Sequence, residues 1–179
     1  MVLSMAEPVI IRDEVLCKGR RVTLYKRTIK YKDLVFDKDV VSFGQAVVVV
    51  PVLSDEKIVF IEQWRAPVKG WIIELPAGRV EKGENPDDAA LRELEEEVGY
   101  RASEIDKIAS AFMTPGYSDE FMHIYVARGL TYVGAKREVG EIIRTKIMSL
   151  EEYLNYIKDG GLGDMKTIAA LLLYKSSLK

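Results

Sequence analysis

The sequence predicts an α+β fold, and three observations support this prediction. Short strand-like runs with charged turns between them recur along the 179 residues. Only three segments have the spacing and the end residues of helices, and two of these lie in the carboxyl-terminal part of the chain. No internal repeat or low-complexity tract occurs. Many strands with few helices are typical of α+β architecture.

Composition limits the chemistry that the chain can support. Hydrophobic residues make up 48% and charged residues 30%, as in an ordinary globular protein, and the net charge of −2 predicts no nucleic-acid partner. The single cysteine, Cys17, excludes an intramolecular disulfide and a cysteine-rich zinc module. The single histidine, His123, excludes a multi-histidine metal site. Any metal held by side chains would therefore rest mainly on carboxylate oxygen.

Neither a targeting segment nor a membrane-spanning segment is visible. The longest apolar runs, 46–53 and 168–174, are far shorter than the roughly 20 residues that a membrane helix needs. We therefore expect a cytoplasmic location and no membrane partner. Only two Gln and two Asn occur beside abundant charge, which indicates a thermophilic source. A melting midpoint near about 50 °C would contradict that hypothesis.

The first 43 residues are expected to form an amino-terminal strand region ahead of a main domain over 44–179. Apolar residues alternate through Val22–Leu24 and Ile29–Tyr31, between charged turns. Between Lys18 and Asp39 eight Lys and Arg face three Asp, a net charge of +5. This charge fits solvated strand faces with lysine-protected edges, or a surface that attracts an anionic ligand or an acidic partner.

Three strands are expected early in the main domain. The nearly continuous apolar runs Ala46–Leu53 and Ile58–Gln63 are expected to pair across the turn Ser54–Lys57. Such a run is typical of a central strand that is buried on both faces. Trp71–Leu75 is a further predicted strand, which Pro76–Gly78 ends.

The strongest helix pattern covers Pro86–Val98. Asn85 is a favourable N-cap, Pro86 suits the first helical position, and Gly99 ends the helix. At 1.5 Å per residue this helix would be about 20 Å long. The remaining elements are two strands with a loop between them, a further strand and two helices: Ile105–Phe112, the loop 114–120, Phe121–Ala127, a strand within 138–148, Leu150–Lys158 and Asp164–Leu178.

Negative charge is concentrated along the predicted helix and the loop before it. Between Gly78 and Tyr100 eight acidic residues face three basic ones, a net charge of −5. Two sets of side chains share faces of the helix, the apolar Leu91, Leu94 and Val98 on one face and the acidic Glu93, Glu96 and Glu97 on another. Three carboxylates are therefore expected on one patch.

A solvated Glu-rich helix is the simpler explanation of this patch. However, Glu93 and Glu97 repel each other at i, i+4, and no lysine lies on this face to compensate. A hard divalent cation would remove the repulsion, and carboxylate oxygens suit Mg²⁺, with Mn²⁺ as a possible substitute. The pattern favours metal binding over the simpler explanation.

The same segment carries the Nudix signature GX5EX7REUXEEXGU, in which U is a bulky aliphatic residue. The matching residues stand at the correct spacing: Gly78, Glu84, Arg92, Glu93, Leu94, Glu96, Glu97 and Gly99. Tyr100 at the last apolar position is the one departure. The chain thus resembles the Nudix hydrolases. That resemblance implies a mixed β-sheet sandwiched between α-helices, and hydrolysis of a nucleoside diphosphate linked to another moiety.

The resemblance also implies roles for these residues. The implied metal ligands are Glu93, Glu96, Glu97 and the carbonyl of Ala77. Arg92 is expected to orient a glutamate of the cluster, so that Arg92 and Glu96 count among the catalytic residues. Glu84 is expected to support the loop or the outer shell of the metal. The bound metal would bridge the diphosphate oxygens and lower the pKa of an attacking water.

Flanking residues resemble the ADP-ribose pyrophosphatase subgroup. Pro115 lies 16 positions after Gly99, and Pro115–Glu120 is similar to that subgroup's loop. Glu62–Arg65 and Trp71–Gly78 resemble it as well. The resemblance implies Mg²⁺-dependent hydrolysis of ADP-ribose to AMP and ribose 5-phosphate, by a homodimer whose amino-terminal strands cross between subunits. The alternatives are an NDP-sugar, NADH, a dinucleoside polyphosphate or an RNA cap as substrate, or a non-catalytic nucleotide-binding module.

Several residues are candidates for substrate contacts. Arg65 can grip two phosphate oxygens at once, and its alternative is a surface salt bridge. Trp64 is a candidate for stacking on adenine, as is Trp71, but strand tryptophans also pack on cores. Glu74 is either the buried partner of Arg65 or a substrate contact. The loop residues Pro115 and Gly116 complete the set.

A general base is expected downstream of the signature. By resemblance it is a loop glutamate, and Glu141, just before an apolar strand, is the first choice. Glu138 and Glu120 are the alternatives. His123 alternates with apolar neighbours in a predicted strand and is expected to be structural.

Overall fold

The structure is a computed structural model that describes residues 7–137 and 140–178. Its strands are β1 Val9–Lys18, β2 Thr23–Tyr31, β3 Leu34–Ser42, β4 Gln45–Pro51, β5 Ile58–Arg65, β6 Gly70–Glu74, β7 Ala77–Arg79, β8 Tyr100–Arg101, β9 Glu104–Phe112, β10 Phe121–Arg128, β11 Thr131–Tyr132 and β12 Ile143–Met148. Its α-helices are α1 Pro86–Glu93, α2 Leu150–Lys158 and α3 Met165–Ser177, and a π-helical turn, Leu94–Val98, continues α1.

The chain divides into two compact units. The first comprises the chain up to Gly44 together with Phe112–Phe121, and it contains the antiparallel sheet β1-β2-β3. Strands are therefore present in the amino-terminal region, where the alternating pattern predicts them. Many large apolar side chains of β1 and β3 are exposed to solvent, among them Val9, Ile10, Ile11, Val15, Leu16, Leu34 and Val35.

The second unit comprises Gln45–Ala111 and Met122–Lys179. Its sheets have the strand orders β7-β4-β10-β9, β12-β5-β6 and β11-β8. The predicted pairing of 46–53 with 58–63 is wrong, because these runs lie in different sheets, with one bridge between Val52 and Ile58. Both edges of β4 are occupied by β7 and β10, so β5 pairs with β6 and β12 instead.

Strand β4 is buried on both faces, as its apolar run predicts. Val47 and Val49 belong to a core cluster with Ala90 and Leu94 of the acidic helix. Val48 points to the opposite face, is also fully buried, and lies on a strand against which α3 packs. Helices thus cover this sheet on both sides, and the core fixes where α1 lies.

The predicted helix over 86–98 begins as expected and ends differently. The side chain of Asn85 accepts from the N–H of Asp87, and Gly99 closes the helix with a φ of 78°. Between these ends, α-helix gives way at Leu94 to one π-helical turn. A π turn carries one residue more per hydrogen-bonded ring, so it turns the carboxylates after Glu93 away from α-helical positions. Apolar spacing does not reveal such a local change.

The short strands β7, β8 and β11 were not predicted, since two or three residues carry no readable alternation. The two carboxyl-terminal helices were predicted within one residue at each end. In the part of the chain that the structure describes, no helix has both the length and the apolar character that crossing a membrane requires.

Candidate active site

Arg92, near the end of α1, is bonded to three of the signature carboxylates. Its Nε and Nη2 donate to Glu84 at 2.8 and 3.0 Å. Its Nη1 donates to Glu93 at 2.7 Å and to Glu96 at 3.0 Å. Nη2 also donates to the carbonyl of Arg79 at 2.9 Å. One guanidinium therefore orders the acidic helix and the loop that precedes it.

Glu97 is bonded to strand β7, at Ala77. Only 3% of Glu97 is exposed, and its Oε2 accepts from the N–H of Ala77 at 3.0 Å. Burial, and then the charges of Glu93 and Glu141, raise the pKa of Glu97 to about 8. Burial, and then the charges of Glu96 and Glu141, raise the pKa of Glu93 to about 7 against the effect of Arg92. The buried carboxyl group of Glu97 and the half-buried one of Glu93 thus repel each other.

The backbone of Ala77 lies beside Glu97, as the expected role of its carbonyl as a metal ligand requires. Ala77 is opposite Val48 in the β7–β4 ladder, yet its N–H donates to Glu97 rather than to β4. In an antiparallel pair the N–H and C=O of one residue point to the same side. The Ala77 carbonyl therefore also points away from β4, along the free edge of β7 that Glu97 occupies.

Gly78 leaves room for Glu93. A Cβ atom on Gly78 would clash with the carboxylate of Glu93, so any other residue here would displace that side chain. The conformational requirement is not a positive φ but this close approach of a carboxylate to the backbone. The first glycine of the signature thus makes the space that Glu93 fills.

The donor chemistry of this cluster fits a divalent cation. All the candidate ligands are hard oxygens, and a cation would relieve the repulsion that raises the pKa values of Glu93 and Glu97. Among the described residues, however, no three His, Cys, Asp or Glu side chains are arranged as a ready metal site. Arg92 holds Glu93 and Glu96, while Ala77 holds Glu97, so these side chains must reorient to bind one ion together.

Arg65 lies at the end of β5 and is paired with Glu74 of β6. Its Nε and Nη2 donate to the two carboxylate oxygens of Glu74 at 2.7 and 2.8 Å. Glu74 is only 1% exposed, so of the two interpretations left open it is the buried partner. Burial opposes it, but the bonds to Glu74 and the charges of Glu74 and Glu97 raise the pKa of Arg65 above its ordinary value.

Lys166 and Asp164 also belong to this group, and neither was predicted from the sequence. The ammonium of Lys166, in the first turn of α3, donates to Glu74 and to Asp164. Burial acts first on Glu74 and would raise its pKa, but the hydrogen bonds and cations around it lower the value to about 2. Lys166 and Asp164 stand some 90 residues from Glu74, and no short motif in the sequence connects them.

Glu141 lies near the carboxylate cluster. Its negative charge contributes to the raised pKa values of both Glu93 and Glu97. The segment that carries it is fastened by a bond from the N–H of Trp64 to the carbonyl of Ile142. The alternative base Glu138 lies outside the described residues. The other alternative, Glu120, belongs to the first compact unit.

Arg137 is a further residue that the sequence did not suggest. Its guanidinium donates to the carbonyls of Glu97 and Ile143, at 3.1 and 2.8 Å, and to the hydroxyl of Thr145 at 3.0 Å. These bonds join the π-helical turn to the start of β12, on either side of Glu141 in the chain. A lone arginine with three oxygen acceptors on two elements can be found only from coordinates.

Trp64 and Arg65 point to opposite faces of β5, because consecutive strand residues alternate. Trp64 is 39% exposed and stands opposite Trp71 of β6. The guanidinium of Arg144 lies 4.3 Å from the ring centroid of Trp71, a cation–π contact. The structure therefore does not bring Trp64 or Trp71 together with Arg65.

The loop with Pro115 and Gly116 lies in the first unit. It forms a turn in which the N–H of Tyr117 donates to the carbonyl of Thr114 at 3.1 Å. Just after it, the carboxylate of Asp119 accepts from three donors, the N–H groups of residues 43 and 44 and the hydroxyl of Ser42. Asp119 thus fixes the end of this loop against the segment that follows β3.

Two buried polar side chains remain in the second unit. His123 lies between Ser110 and Gln45, at 3.0 and 2.9 Å, which suits the structural role expected for it. Gln63 of β5 is 6% exposed, and its Oε1 has no hydrogen-bond partner among the described residues. Gln63 shares its strand face with Arg65, two residues away.

Comparisons with known proteins identify the family and the fold. Residues 42–171 match the family model of the NUDIX domain. A "Methanol dehydrogenase activator" of Bacillus methanolicus is 37% identical over 171 residues, 94% of this chain and 92% of that protein. An "ADP-ribose pyrophosphatase" of Bacillus subtilis (strain 168) is 34% identical over the same shares. A crystal structure of an ADP compounds hydrolase, 22% identical, has a TM-score of 0.86 and covers 98% of this chain and 96% of its own, which confirms the predicted fold class.

Proposed function

Since the chain belongs to the Nudix family, we propose that it hydrolyses the diphosphate bond of ADP-ribose to AMP and ribose 5-phosphate, with Mg²⁺ as its cation. The predicted family is confirmed, and the chain is a Nudix hydrolase. The substrate, the products and the ion are the proposal. We further propose that Mn²⁺ can replace Mg²⁺, because both are hard oxygen-binding ions.

One observation carries the proposal. Glu93, Glu97, Glu141 and Arg65 form a single electrostatic group, in which Glu141 raises the pKa values of two carboxyl groups and Glu97 acts on Arg65. Carboxylates that repel one another beside an arginine are suited to bind a cation and a phosphate together. A purely structural helix would gain nothing from this crowding.

The roles follow from the contacts. Glu93, Glu96, Glu97 and the Ala77 carbonyl would hold the cation, which when bound supplies charge neutralisation and an acidified water. Arg92 orients Glu93 and Glu96, because both carboxylates accept from its Nη1. Glu141 would accept the proton of the attacking water. Arg65 uses Nε and Nη2 for Glu74, which leaves Nη1 for a phosphate oxygen.

The substrate is proposed on separate grounds, since the relatives of 37% and 34% identity carry different names. The "Methanol dehydrogenase activator" and the "ADP-ribose pyrophosphatase" match the chain over equal lengths. The choice of ADP-ribose therefore rests on the loop after Gly99, where Pro115 and Gly116 stand in a turn that Asp119 fixes. We propose that this loop contacts the substrate, and that Trp64 stacks on adenine from its exposed face.

We also propose that the amino-terminal strand region, residues 1–43, makes the chain a homodimer. The apolar side chains exposed on β1 and β3 are numerous enough to form a subunit interface. Val35→Lys should therefore give a monomer in analytical ultracentrifugation. Val68→Lys is the control, because Val68 of the second unit is equally exposed at 59%. A wild-type chain that sediments as a monomer would contradict the proposal.

A substrate panel tests the function. Purified protein with Mg²⁺ is offered ADP-ribose, an NDP-sugar such as GDP-mannose, NADH, a dinucleoside polyphosphate and a capped RNA, and nucleotide products are separated by ion-exchange chromatography. We expect the highest kcat/KM for ADP-ribose, with AMP and ribose 5-phosphate in equal amounts. Cleavage of ADP-ribose no better than of GDP-mannose or NADH would refute the substrate. Binding without turnover of any compound would favour a non-catalytic nucleotide-binding module.

A further inference from the structure

We propose that Lys166 is a positioning residue for the guanidinium of Arg65, so that the first turn of α3 belongs to the phosphate-binding site. The inference rests on the proposed function, because it takes Arg65 to contact the diphosphate. It adds Lys166 and Asp164 to a site whose other members lie between residues 62 and 141. The contacts that support this inference run from the Arg65–Glu74 pair to helix α3.

The direction of the Arg65 guanidinium is fixed by its pairing with Glu74. Two parallel bonds join its Nε and Nη2 to the Glu74 carboxylate, at 2.7 and 2.8 Å. A bidentate pair fixes the plane of the guanidinium as well as its distance. Glu74 is almost fully buried, so the position of its carboxylate decides where the free nitrogen of Arg65 points.

Lys166 is bonded to the same carboxylate, that of Glu74. Its ammonium donates to the same Oε2 of Glu74 that accepts from Arg65 Nη2, and also to Asp164. The side chain of Lys166 is only 13% exposed, so water competes little for these bonds. Lys166 therefore holds the Glu74 carboxylate together with Arg65, at the same oxygen.

The first turn of α3, which carries Lys166, is itself bonded to the end of β6. Asp164 caps α3 by accepting from the N–H of Thr167 at 2.7 Å. The buried hydroxyl of Thr167 accepts from the N–H of Leu75, the residue after Glu74, at 2.9 Å. Helix α3 and the end of β6 are therefore joined twice, by the bond from the Leu75 N–H to the Thr167 hydroxyl and by the Lys166 ammonium. Three residues beyond Glu74, Ala77 donates to Glu97.

The summed charge of these side chains also supports a role for Lys166. Arg65, Lys166, Glu74 and Asp164 together are neutral. Without Lys166 the remaining three side chains would carry a net negative charge beside the phosphate that Arg65 is proposed to bind. Glu74 alone would neutralise Arg65, so the charge of Asp164 would be in excess. Buried ion networks are often no more stable than apolar residues of similar volume. Their presence beside Arg65 is therefore better explained by substrate binding than by stability.

The test compares Lys166→Met with Lys175→Met, the same change in the last turn of α3, where the side chain is exposed. Initial rates are measured on the best substrate of the wild-type protein, and melting temperature is recorded for each variant. We expect Lys166→Met to raise KM about tenfold while kcat changes less than about twofold, since one charge-assisted bond is lost. A KM within twofold of Lys175→Met, whatever the melting temperature, overturns the inference.

A double variant guards against misfolding. Asp164→Asn with Lys166→Met restores neutrality, and asparagine still caps the helix. We expect its KM to lie nearer the wild type than that of Lys166→Met, and an equal or higher KM would overturn the charge argument. If the wild type prefers another nucleoside diphosphate derivative, the ADP-ribose proposal fails and the same comparison on that compound still tests Lys166. If it cleaves none, calorimetric binding of ADP takes the place of KM.

Discussion

The carboxylate of Glu93 fills the space that a Cβ atom on Gly78 would occupy. Gly78→Ala should therefore displace Glu93 from the cluster while the strands around it stay in place. We expect Mn²⁺ affinity, measured by electron paramagnetic resonance, and kcat/KM both to fall at least about tenfold.

Gly70→Ala is the matched control for this change. Gly70 also lies in a strand of the second unit, but a Cβ there would make only ordinary contacts, at 3.7 Å or more. It should keep wild-type metal affinity. Equal affinity in Gly78→Ala would show that the position of Glu93 does not matter for the cation.

Glu97→Gln should abolish most of the turnover without loss of the fold. The amide keeps the size of the side chain and an oxygen for the N–H of Ala77, but it is a poor ligand for a hard cation. We expect kcat to fall at least about 100-fold, beyond the usual effect of a residue in the outer shell.

Glu95→Gln supplies the comparison on the same π-helical turn. Glu95 pairs with Arg101 and Lys136 on the far side of the helix from Ala77. Its kcat should stay within about twofold of wild type. Wild-type activity in Glu97→Gln, measured by AMP release, would reject the metal assignment.

The stability of the metal-free protein should fall as pH rises through neutrality. In the folded chain the pKa values of Glu93 and Glu97 are about 7 and about 8, above the ordinary 4.5. Between pH 4.5 and 8 the folded state therefore binds more protons than the unfolded state, and the free energy of unfolding decreases with pH. Glu97→Gln removes one of these protons, so its melting temperature in EDTA should decline less.

Added Mg²⁺ should reverse this trend. A cation binds the ionised carboxylates of the folded state, so the gain in melting temperature should be larger near pH 8 than near pH 6. Thermal melts with and without Mg²⁺ measure it. A gain that is larger at the lower pH would contradict the assignment of these carboxylates as ligands.

Gln63→Leu should stabilise the protein. The Oε1 of Gln63 is buried without a partner among the described residues, and an apolar side chain of similar volume removes that cost. A rise of about 2–4 °C in melting temperature is expected for a chain of this size. Gln45→Leu should instead lower the melting temperature, because it removes the bond to His123. A fall in both variants would mean that Gln63 is satisfied.

Much of the acidic helix could be predicted from sequence, since capping and charge are local properties. Asn85 and Gly99 mark the two ends, and the repulsion between Glu93 and Glu97 is visible from their spacing alone. The π-helical turn could not be predicted, because it shifts side chains without changing the apolar pattern. The metal-site arrangement also differs, because Arg92 already holds Glu93 and Glu96.

Long-range partners are the other gap. The sequence suggested Arg65 as a phosphate contact and offered Glu74 as one of two possible roles beside it. Lys166 joins this pair from 92 residues away, and the packing of α3 decides that contact. Similarly, β4 and β5 are adjacent in the chain but lie in different sheets, since strand neighbours are chosen by the whole sheet and not by the connecting turn.

The bond between Lys166 and Glu74 has a consequence for biosynthesis. A ribosome makes the carboxylate helix and Arg65 long before it reaches residue 164, yet the guanidinium has its full set of supports only when α3 has left the exit tunnel. The nascent polypeptide is therefore expected to acquire its affinity for nucleotide only after α3 has been translated. Premature termination before α3 would release a chain that carries every signature residue and still binds phosphate poorly.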